Sequence, residues 1–439
     1  MKAGGLLEQL KSLRRSEGGR RSASNAAYSA ADYLLSPLLM ILAAPFLVSR
    51  LGLNQYGIWM LANALGGTAA VVSLGLGDAT VKYVSGYRGK GAESAVVRVV
   101  RSTLTVSGLL GLLIAPIVVG AAPWIADSVF KIATKDHDVA AAAIRLAGIG
   151  LVIRSVDSVF LATLRAYERY DLTARVAMTV KIVTIGGAVL LVAAGYGLVE
   201  ILLSTIVVSV AGVAAQVILS RRLVAGLSLW PLLDRAALRE LFGFGMYSWA
   251  QGLGGMIFSQ ADFLLIGAIL GSTQLAYYAV CVQLAQQIHG LPAAAFSFLF
   301  PLISSRYERN GRTGLKELFG RCVALNVVFA AVLAAPLVFW GRPILTLWMG
   351  REFASHAYVL LAILAVAYAL LSINVVPHNT LLGLGQVRFV SIVNLAGGVL
   401  SLIGVAALLP VIGLNGAGVG RLLYGPVISV NYIRAARSL

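Results

Sequence analysis

The sequence predicts an all-α integral membrane protein of about twelve transmembrane helices, built as two six-helix lobes related by internal duplication. The first observation is composition: the chain is 59% apolar and only 12% charged, with a mean hydropathy of +0.86. A soluble domain is nearer half apolar and a quarter charged. The second is the succession of apolar runs of about 20 residues, the length that crosses a ~30 Å hydrocarbon core. Because lipid offers backbone groups no water, such runs must be helical.

Short polar breaks separate the apolar runs and define the predicted spans. In chain order the spans cover residues 25–49, 56–77, 102–122, 139–164, 173–195, 198–220, 242–265, 274–302, 322–340, 356–382, 389–409 and 414–433.

An internal repeat divides these spans into two sets of six. The string LGLNQYG at 51–57 returns 219 positions later as LGSTQLA at 270–276, and APIVVGAAP at 115–123 returns as APLVFWGRP at 335–343. The matched Gln55 and the paired prolines carry the argument, since apolar identities arise easily in so Ala- and Leu-rich a chain. Six spans per copy is an even number, so both lobes enter the membrane in the same orientation.

The repeat also sets the expected domain boundaries. We expect a basic cytoplasmic segment at 1–24, a first lobe at 25–220, a connector at 221–241 and a second lobe at 242–439. Leu229, Trp230, Leu238 and Leu241 suggest that the connector forms a helix lying on the inner leaflet.

The distribution of positive charge predicts the topology. Of the 35 Lys and Arg residues, 26 fall on the side of the two termini, five on the opposite side and four inside spans. By the positive-inside rule, both termini of this multi-pass chain are cytoplasmic. The net charge of +17 is therefore mainly a topology signal, and no basic domain outside the membrane points to nucleic-acid binding.

Four basic residues in or beside spans four and five are candidate binding residues, because a charge at a helix centre costs about 2.5–3.5 kcal/mol on insertion scales. Arg154 is followed at i+3 by Asp157, which allows a self-neutralising pair, whereas Lys181 has no acid within a turn. Arg145 lies where its side chain could reach the outer surface, and Arg175 lies near the cytoplasmic end. The functional alternative is a cationic lumen in which Arg154, Lys181, Arg145 and Arg175 bind a phosphate or pyrophosphate.

Three acids are candidate ligands for a coupling H⁺ or Na⁺: Asp32, Asp157 and Asp262. For Asp32 an interhelical hydrogen bond is an equal alternative, and Asp262 could be interfacial. His289 and His378 are expected to be packing residues, and no pattern indicates a metal site or another cofactor.

Enzyme classes find little support in the sequence. The longest outer break, 125–138, carries no convincing acid/base set, and the chain has no GxxxxGK[ST] motif for ATP.

Three segments carry a resemblance to a known family. LVSRLGLNQYGIW at 47–59, LGLGDATVKYVS at 74–85 and ADFLLIGAILGSTQLAYYAV at 261–280 resemble signatures of the Wzx-type oligosaccharide flippases, the polysaccharide-transport branch of the multidrug/oligosaccharidyl-lipid/polysaccharide (MOP) exporter superfamily. The resemblance implies a V-shaped pair of bundles that opens alternately to each side of the bacterial cytoplasmic membrane.

The implied cargo is an undecaprenyl-pyrophosphate-linked oligosaccharide, such as an O-antigen unit, flipped for surface polysaccharide biosynthesis. The implied partners are the lipid bilayer and a polysaccharide polymerase with its chain-length machinery. Two alternatives stay open within the superfamily: a cation-coupled multidrug exporter, which a lumen with Lys181 and Arg154 suits poorly, and a lipid II flippase, which usually has extra spans.

Overall fold

The computed structural model describes residues 17–68, 73 and 75–439, and these residues are almost entirely helical, with no β-strand among them. Residues 1–16 of the predicted basic segment lie outside the described residues. The helices of the described part are α1 (Glu17–Gly67), α2 (Leu76–Gly89), α3 (Glu93–Trp124), α4 (His137–Ala166), α5 (Tyr170–Ala193), α6 (Leu198–Leu223), α7 (Arg235–Met256), α8 (Asp262–Leu270), α9 (Ser272–Ala285), α10 (Gln287–Ala295), α11 (Leu299–Asn310), α12 (Leu315–Phe339), α13 (Gly341–Met349), α14 (Arg351–Ile373), α15 (Val375–Gly383), α16 (Val387–Ile412), α17 (Leu414–Leu422) and α18 (Tyr424–Ser438).

The all-α membrane fold is confirmed, whereas the count of twelve spans stays a prediction. Among the described residues, nine helices are long and apolar enough to cross a membrane. Predicted spans two, seven and twelve are not counted separately among these nine helices, because span two continues from span one and the helices of spans seven and twelve are interrupted. Span two shares α1 with span one and breaks after Gly67, a π-helical turn at Ile257–Ala261 separates α7 from α8, and Leu423 separates α17 from α18.

The repeat reappears as matched backbone geometry. α1 turns sharply at Gly52, whose φ of 79° and ψ of 159° are not helical. The residue 219 positions later, Gly271, joins α8 to α9 with a φ of 83° and a ψ of 174°. A positive φ is cheap only for glycine. Each copy therefore makes the same corner between its first two spans.

The two ends of the bundle differ in how the lobes pack. We call the end that holds the loops at 90–92, 167–169 and 384–386 the terminal end, since Gln386 Nε2 donates to Ser438 Oγ at 2.9 Å there. The opposite end, with the corners at Gly52 and Gly271, is the far end. One large hydrophobic core includes residues of both lobes, among them Leu47 and Leu275 near the far-end corners.

Towards the terminal end there are two separate cores, and α7 contributes to the one of the first lobe. One contains Leu76, Val99 and Leu241, and the other contains Phe296 and Ile303. At this end the lobes meet through α7, which packs on α2, while the other core belongs to the second lobe alone, so the V opens between that core and the first lobe.

Polar contacts hold the far-end joint. Ser272 Oγ donates to Asn54 Oδ1, and Asn54 Nδ2 donates to Asp136 Oδ2 at 2.6 Å. Gln283 Nε2 of the second lobe donates to the Tyr56 hydroxyl of the first at 2.8 Å. Apart from Asp136, these residues belong to the repeated corners or to the helices that follow the corners. The duplicated segment is therefore also the main joint between the lobes.

The prediction of a helix on the leaflet over the connector is wrong for its first part. α6 ends at Leu223 and α7 begins at Arg235, so the non-helical connector covers 224–234. It is docked on α3: the Leu232 N–H donates to Thr105 Oγ1 at 2.9 Å, and Arg101 Nε donates to the Trp230 carbonyl at 3.0 Å. Pro231 and these side-chain partners favour an extended path over a helix. Leu241 is buried in α7.

Candidate functional site

Arg154 lines a cleft inside the first lobe. The cleft lies between the second half of α1, α4 and α6 and has an empty volume of about 460 Å³. Arg154 is 12 residues before Ala166, the end of α4, which is about 18 Å at 1.5 Å per residue. In a hydrocarbon core of about 30 Å that depth is close to the midplane.

The cleft accommodates the guanidinium because its opposite wall is small and polar. A Cβ on Gly66 of α1 would lie 3.6 Å from Arg154 Nε, an ordinary contact distance, so the guanidinium lies directly against this wall. Asn63 of α1 and Thr205 and Ser209 of α6 complete the polar lining. The site therefore offers one cation and several neutral hydrogen-bonding groups.

Arg154 does not form the predicted ion pair with Asp157. Among the described residues, no carboxylate oxygen lies within 4 Å of its side-chain nitrogens. Asp157 instead accepts a 2.9 Å hydrogen bond from Gln216 Nε2 of α6. Asp157 still attracts Arg154 electrostatically at longer range. The exposed guanidinium thus lines the cleft with no carboxylate beside it among the described residues.

Lys181 lies in a different helix interface and is ion-paired. Its Nζ is 2.6 Å from Oδ1 of Asp32 and donates to the Asp32 backbone carbonyl at 2.7 Å. Both side chains are 29% exposed. One predicted binding residue and one predicted coupling residue therefore form a single half-buried pair between α1 and α5.

The other two predicted cations do not join Arg154. Arg175 is exposed, donates to the Tyr28 hydroxyl at 3.1 Å and lies over its ring. Arg145 precedes Arg154 by nine residues, which is about two and a half helical turns, so it lies on the opposite side of α4. Neither residue lines the cleft. The structure therefore does not bring all four cations into the single lumen that the sequence predicts.

Asp262 is buried in the second lobe, not interfacial. Arg421 Nη2 and Nε donate to its Oδ2 at 2.5 and 2.8 Å, and the two side chains are 6% and 5% exposed. The Tyr278 hydroxyl also donates to Asp262, and Arg421 donates to the Tyr368 hydroxyl. The π-helical turn at Ile257–Ala261 ends directly before Asp262. This carboxylate is occupied by protein donors in the present conformation.

Sequence reasoning missed Asn63, Thr205, Ser209 and Gln216. A signal for the last three existed: they lie on α6 at spacings of four and seven residues, which puts polar groups on one helix face. The sequence does not single out these four residues, because small polar and amide side chains are common in apolar spans. Only the packing of α6 against α4 brings them to Arg154 and Asp157.

Two helical lobes, a V open at one end and a membrane-buried cationic cleft define a multi-pass membrane transporter. The family of polysaccharide biosynthesis proteins matches residues 51–358, more than half of the chain. The chain belongs to this family.

Individual relatives agree with that assignment. The chain is 24% identical over 392 residues to the probable low-salt glycan biosynthesis flippase Agl15 of Haloferax volcanii, covering 88% of this chain and 77% of that protein. It is 21% identical over 389 residues to the putative O-antigen transporter of Shigella flexneri, covering 85% and 87%. A solved multidrug resistance MATE transporter of the MOP superfamily, in an inward-facing conformation, superposes with a TM-score of 0.74 at 15% identity, covering 93% of this chain and 94% of that one. The last similarity concerns the fold alone.

Proposed function

We propose that the protein flips undecaprenyl-pyrophosphate-linked oligosaccharide units from the inner to the outer leaflet of the bacterial cytoplasmic membrane by alternating access. The observation that carries the proposal is Arg154, a cation near the midplane that lines a cleft without a carboxylate partner within 4 Å among the described residues. A diphosphate is the matching ligand, since guanidinium binds phosphate oxygens in a bidentate manner.

The first-lobe cleft binds the charged part of the substrate. Asn63, Thr205 and Ser209 donate further hydrogen bonds to phosphate oxygens that Arg154 does not reach. The lipid tail stays in the bilayer, and only the headgroup enters the protein. The oligosaccharide then serves surface polysaccharide assembly, with a polymerase and its chain-length machinery as the partners downstream.

Transport is coupled to an ion through Asp32. In the present state its carboxylate neutralises Lys181. A proton or Na⁺ on Asp32 releases the ammonium of Lys181, whose charge then adds to the attraction of the first lobe for the anionic headgroup. Both termini lie in the cytoplasm in this scheme, so the V opens towards the side on which lipid-linked oligosaccharides are made. Opening to the other side requires the far-end joint at Asn54 and Ser272 to part.

The test is complementation of a deletion strain. Wild type is expected to restore surface polysaccharide and to move lipid-linked oligosaccharide to the outer leaflet, where a membrane-impermeant periodate oxidation detects it. Arg154→Gln removes one charged hydrogen-bonding partner, worth about 1.5–3 kcal/mol. At about 1.4 kcal/mol per factor of ten, transport should fall by about 10- to 100-fold. Arg154→Lys keeps the charge and is expected to retain more transport.

Arg351→Gln is the matched control, because Arg351 is an exposed guanidinium at the start of α14 in the other lobe. Its transport should equal that of wild type. Full rescue by Arg154→Gln at normal membrane levels contradicts the proposed site. Export of cationic dyes without any movement of lipid-linked oligosaccharide supports a multidrug exporter instead.

A further inference from the structure

Two helices of the second lobe are interrupted within their spans. α9 gives way to α10 at Gln286, and α14 gives way to α15 at Asn374. Each interruption is followed by a proline, Pro292 or Pro377. A proline has no N–H, so the carbonyls four residues earlier, at Ile288 and Ile373, lack their usual helical donor. Interrupted helices at the lobe interface are how many transporters present polar groups inside the membrane.

Imidazole and amide side chains gather just after these interruptions. His378 of α15 has its Nδ1 3.4 Å from Nδ2 of Asn394 on α16. α10, which carries His289, packs on α15, which carries His378. All three residues are half-buried. His289 belongs to α10, and both α10 and the preceding helix α9 pack on α1 of the first lobe. The group therefore lies in the second lobe close to where the two lobes meet.

Several polar atoms here have no hydrogen-bond partner in the protein. His289 Nδ1 and Asn394 Oδ1 are both buried without one. Leaving such an atom unsatisfied is destabilising, since it has lost its bonds to water and gained none in the protein. Nine such atoms occur among the described residues, and six of them belong to the second lobe. Besides His289 Nδ1 and Asn394 Oδ1, these are Gln283 Oε1, Asn326 Oδ1, Ser372 Oγ and Asn431 Oδ1. The second lobe thus has unused hydrogen-bonding capacity that carries no charge.

We propose that His289, His378 and Asn394 form a second binding subsite, which takes hydroxyl groups of the carbohydrate. This inference rests on the proposed function and adds its specificity element. Sugar hydroxyls both donate and accept, and so do amides and neutral imidazoles. His289 Nδ1 and Asn394 Oδ1 are closed to solvent in this conformation, so each can pair with a hydroxyl only when the helices around it part during transport. The group has no cation, so it has no charge with which to hold the diphosphate, which Arg154 binds in the other lobe.

The two lobes then divide the headgroup between them. The first lobe binds the part common to every polyprenyl-diphosphate carrier, and the second binds the part that differs between them. A site that hydrogen-bonds substrate hydroxyls discriminates strongly, since a ligand without them leaves buried polar groups unpaired. The subsite therefore predicts that loss of its groups affects only the sugar-bearing carrier.

The experiment compares two ligands that differ only in the sugar. Purified protein in nanodiscs is titrated with lipid-linked oligosaccharide extracted from the deletion strain and with undecaprenyl diphosphate. His378→Leu and Asn394→Leu are each expected to weaken binding of the sugar-bearing lipid by about tenfold, the equivalent of about 1.4 kcal/mol for one or two hydrogen bonds. Binding of undecaprenyl diphosphate should be unchanged. His378→Gln keeps a donor and an acceptor and should lose less.

Asn326→Leu is the matched control, because this amide is fully buried and donates to the Ser372 carbonyl at 2.7 Å. It should lower the melting temperature without changing the ratio of the two affinities. Equal weakening of both ligands by His378→Leu, or no weakening of either, overturns the subsite. If His378→Leu does not fold, His378→Gln and Asn394→Ser decide by the same ratio. Failure of the proposed function looks different: Arg154→Gln then leaves binding of undecaprenyl diphosphate intact.

Discussion

Replacing Asp32 by Asn should make the protein bind its anionic ligand more tightly. In the structure Lys181 gives its charge to Asp32, through a 2.6 Å contact to Oδ1 and a 2.7 Å hydrogen bond to the backbone carbonyl. A phosphate that recruits Lys181 must first displace that carboxylate. Asp32→Asn keeps the shape of the side chain and the backbone carbonyl but removes the competing charge.

The size of the effect follows from the geometry of the pair. Both side chains are 29% exposed, so water screens them more than a fully buried pair and less than a surface pair. A hydrogen bond to a charged group at such a site is worth about 1.5–3 kcal/mol. Divided by about 1.4 kcal/mol per factor of ten, this predicts 10- to 100-fold tighter binding of undecaprenyl diphosphate. Ion-driven transport should be lost, since the carboxylate proposed to take the ion is gone.

The assay is equilibrium binding in nanodiscs together with transport in vesicles under an imposed ion gradient. Lys181→Gln and the double variant complete a mutant cycle, and the gain from Asp32→Asn should vanish when Lys181 is absent. Asp171→Asn is the matched control, because Asp171 pairs at 2.9 Å with Arg169 towards the terminal end of the bundle. Affinity that is unchanged or weaker in Asp32→Asn, or a gain that persists without Lys181, refutes the competition.

The remaining predictions concern stability. Arg421→Gln leaves Asp262 buried without its ion-pair partner, so the free energy of unfolding should fall by about 3–5 kcal/mol. Thermal melts in detergent would detect this loss, and an unchanged melting temperature would contradict the paired role. At the terminal end, the hydrogen bond from Tyr87 to Glu240 raises the pKa of Tyr87 above its ordinary value of 10.0. The neutral phenol is the favoured form, so this contribution is present below pH 10 and is lost as the pH rises through the folded-state pKa. Tyr87→Phe should therefore lower the unfolding free energy below about pH 10 by under about 1 kcal/mol, since water partly screens this half-buried pair, and should flatten the fall in melting temperature above that pH. Identical pH profiles would contradict it.

The spans could be predicted from sequence because length and apolarity alone determine whether a segment can cross lipid. The corner was also predictable, since Gly52 and Gly271 repeat at a fixed offset. The interruptions were not. The π-helical turn at Ile257–Ala261 and the break at Leu423 lie inside runs that remain apolar, so hydropathy does not register them. They depend on packing between helices.

The candidate site was predicted by residue but not by partner. Sequence spacing tests for neighbours within a turn or two, and on that basis Lys181 had no acid and Arg154 had one. The structure reverses both: Asp32 is 149 residues from Lys181, and Asp157 turns to Gln216 on another helix. Partners that far apart follow only from the tertiary fold. Arg421 and Asp262, which are 159 residues apart, are a third case.

Each lobe has an arginine inside the membrane, Arg154 in the first and Arg421 in the second, and their surroundings are opposite. This asymmetry indicates different roles for the two lobes. Arg421 is buried with a carboxylate and tyrosine hydroxyls, so its charge is satisfied within the protein. The residue 219 positions before Asp262 is Ala43, so the first lobe has no equivalent carboxylate. Arg154 faces a cleft, and an uncompensated charge at that depth costs about 2.5–3.5 kcal/mol. A bound anion recovers part of that cost. Under the proposed function, the lobe that leaves its arginine unpaired therefore gains most from the diphosphate, and the lobe that neutralises its arginine is left to recognise uncharged groups.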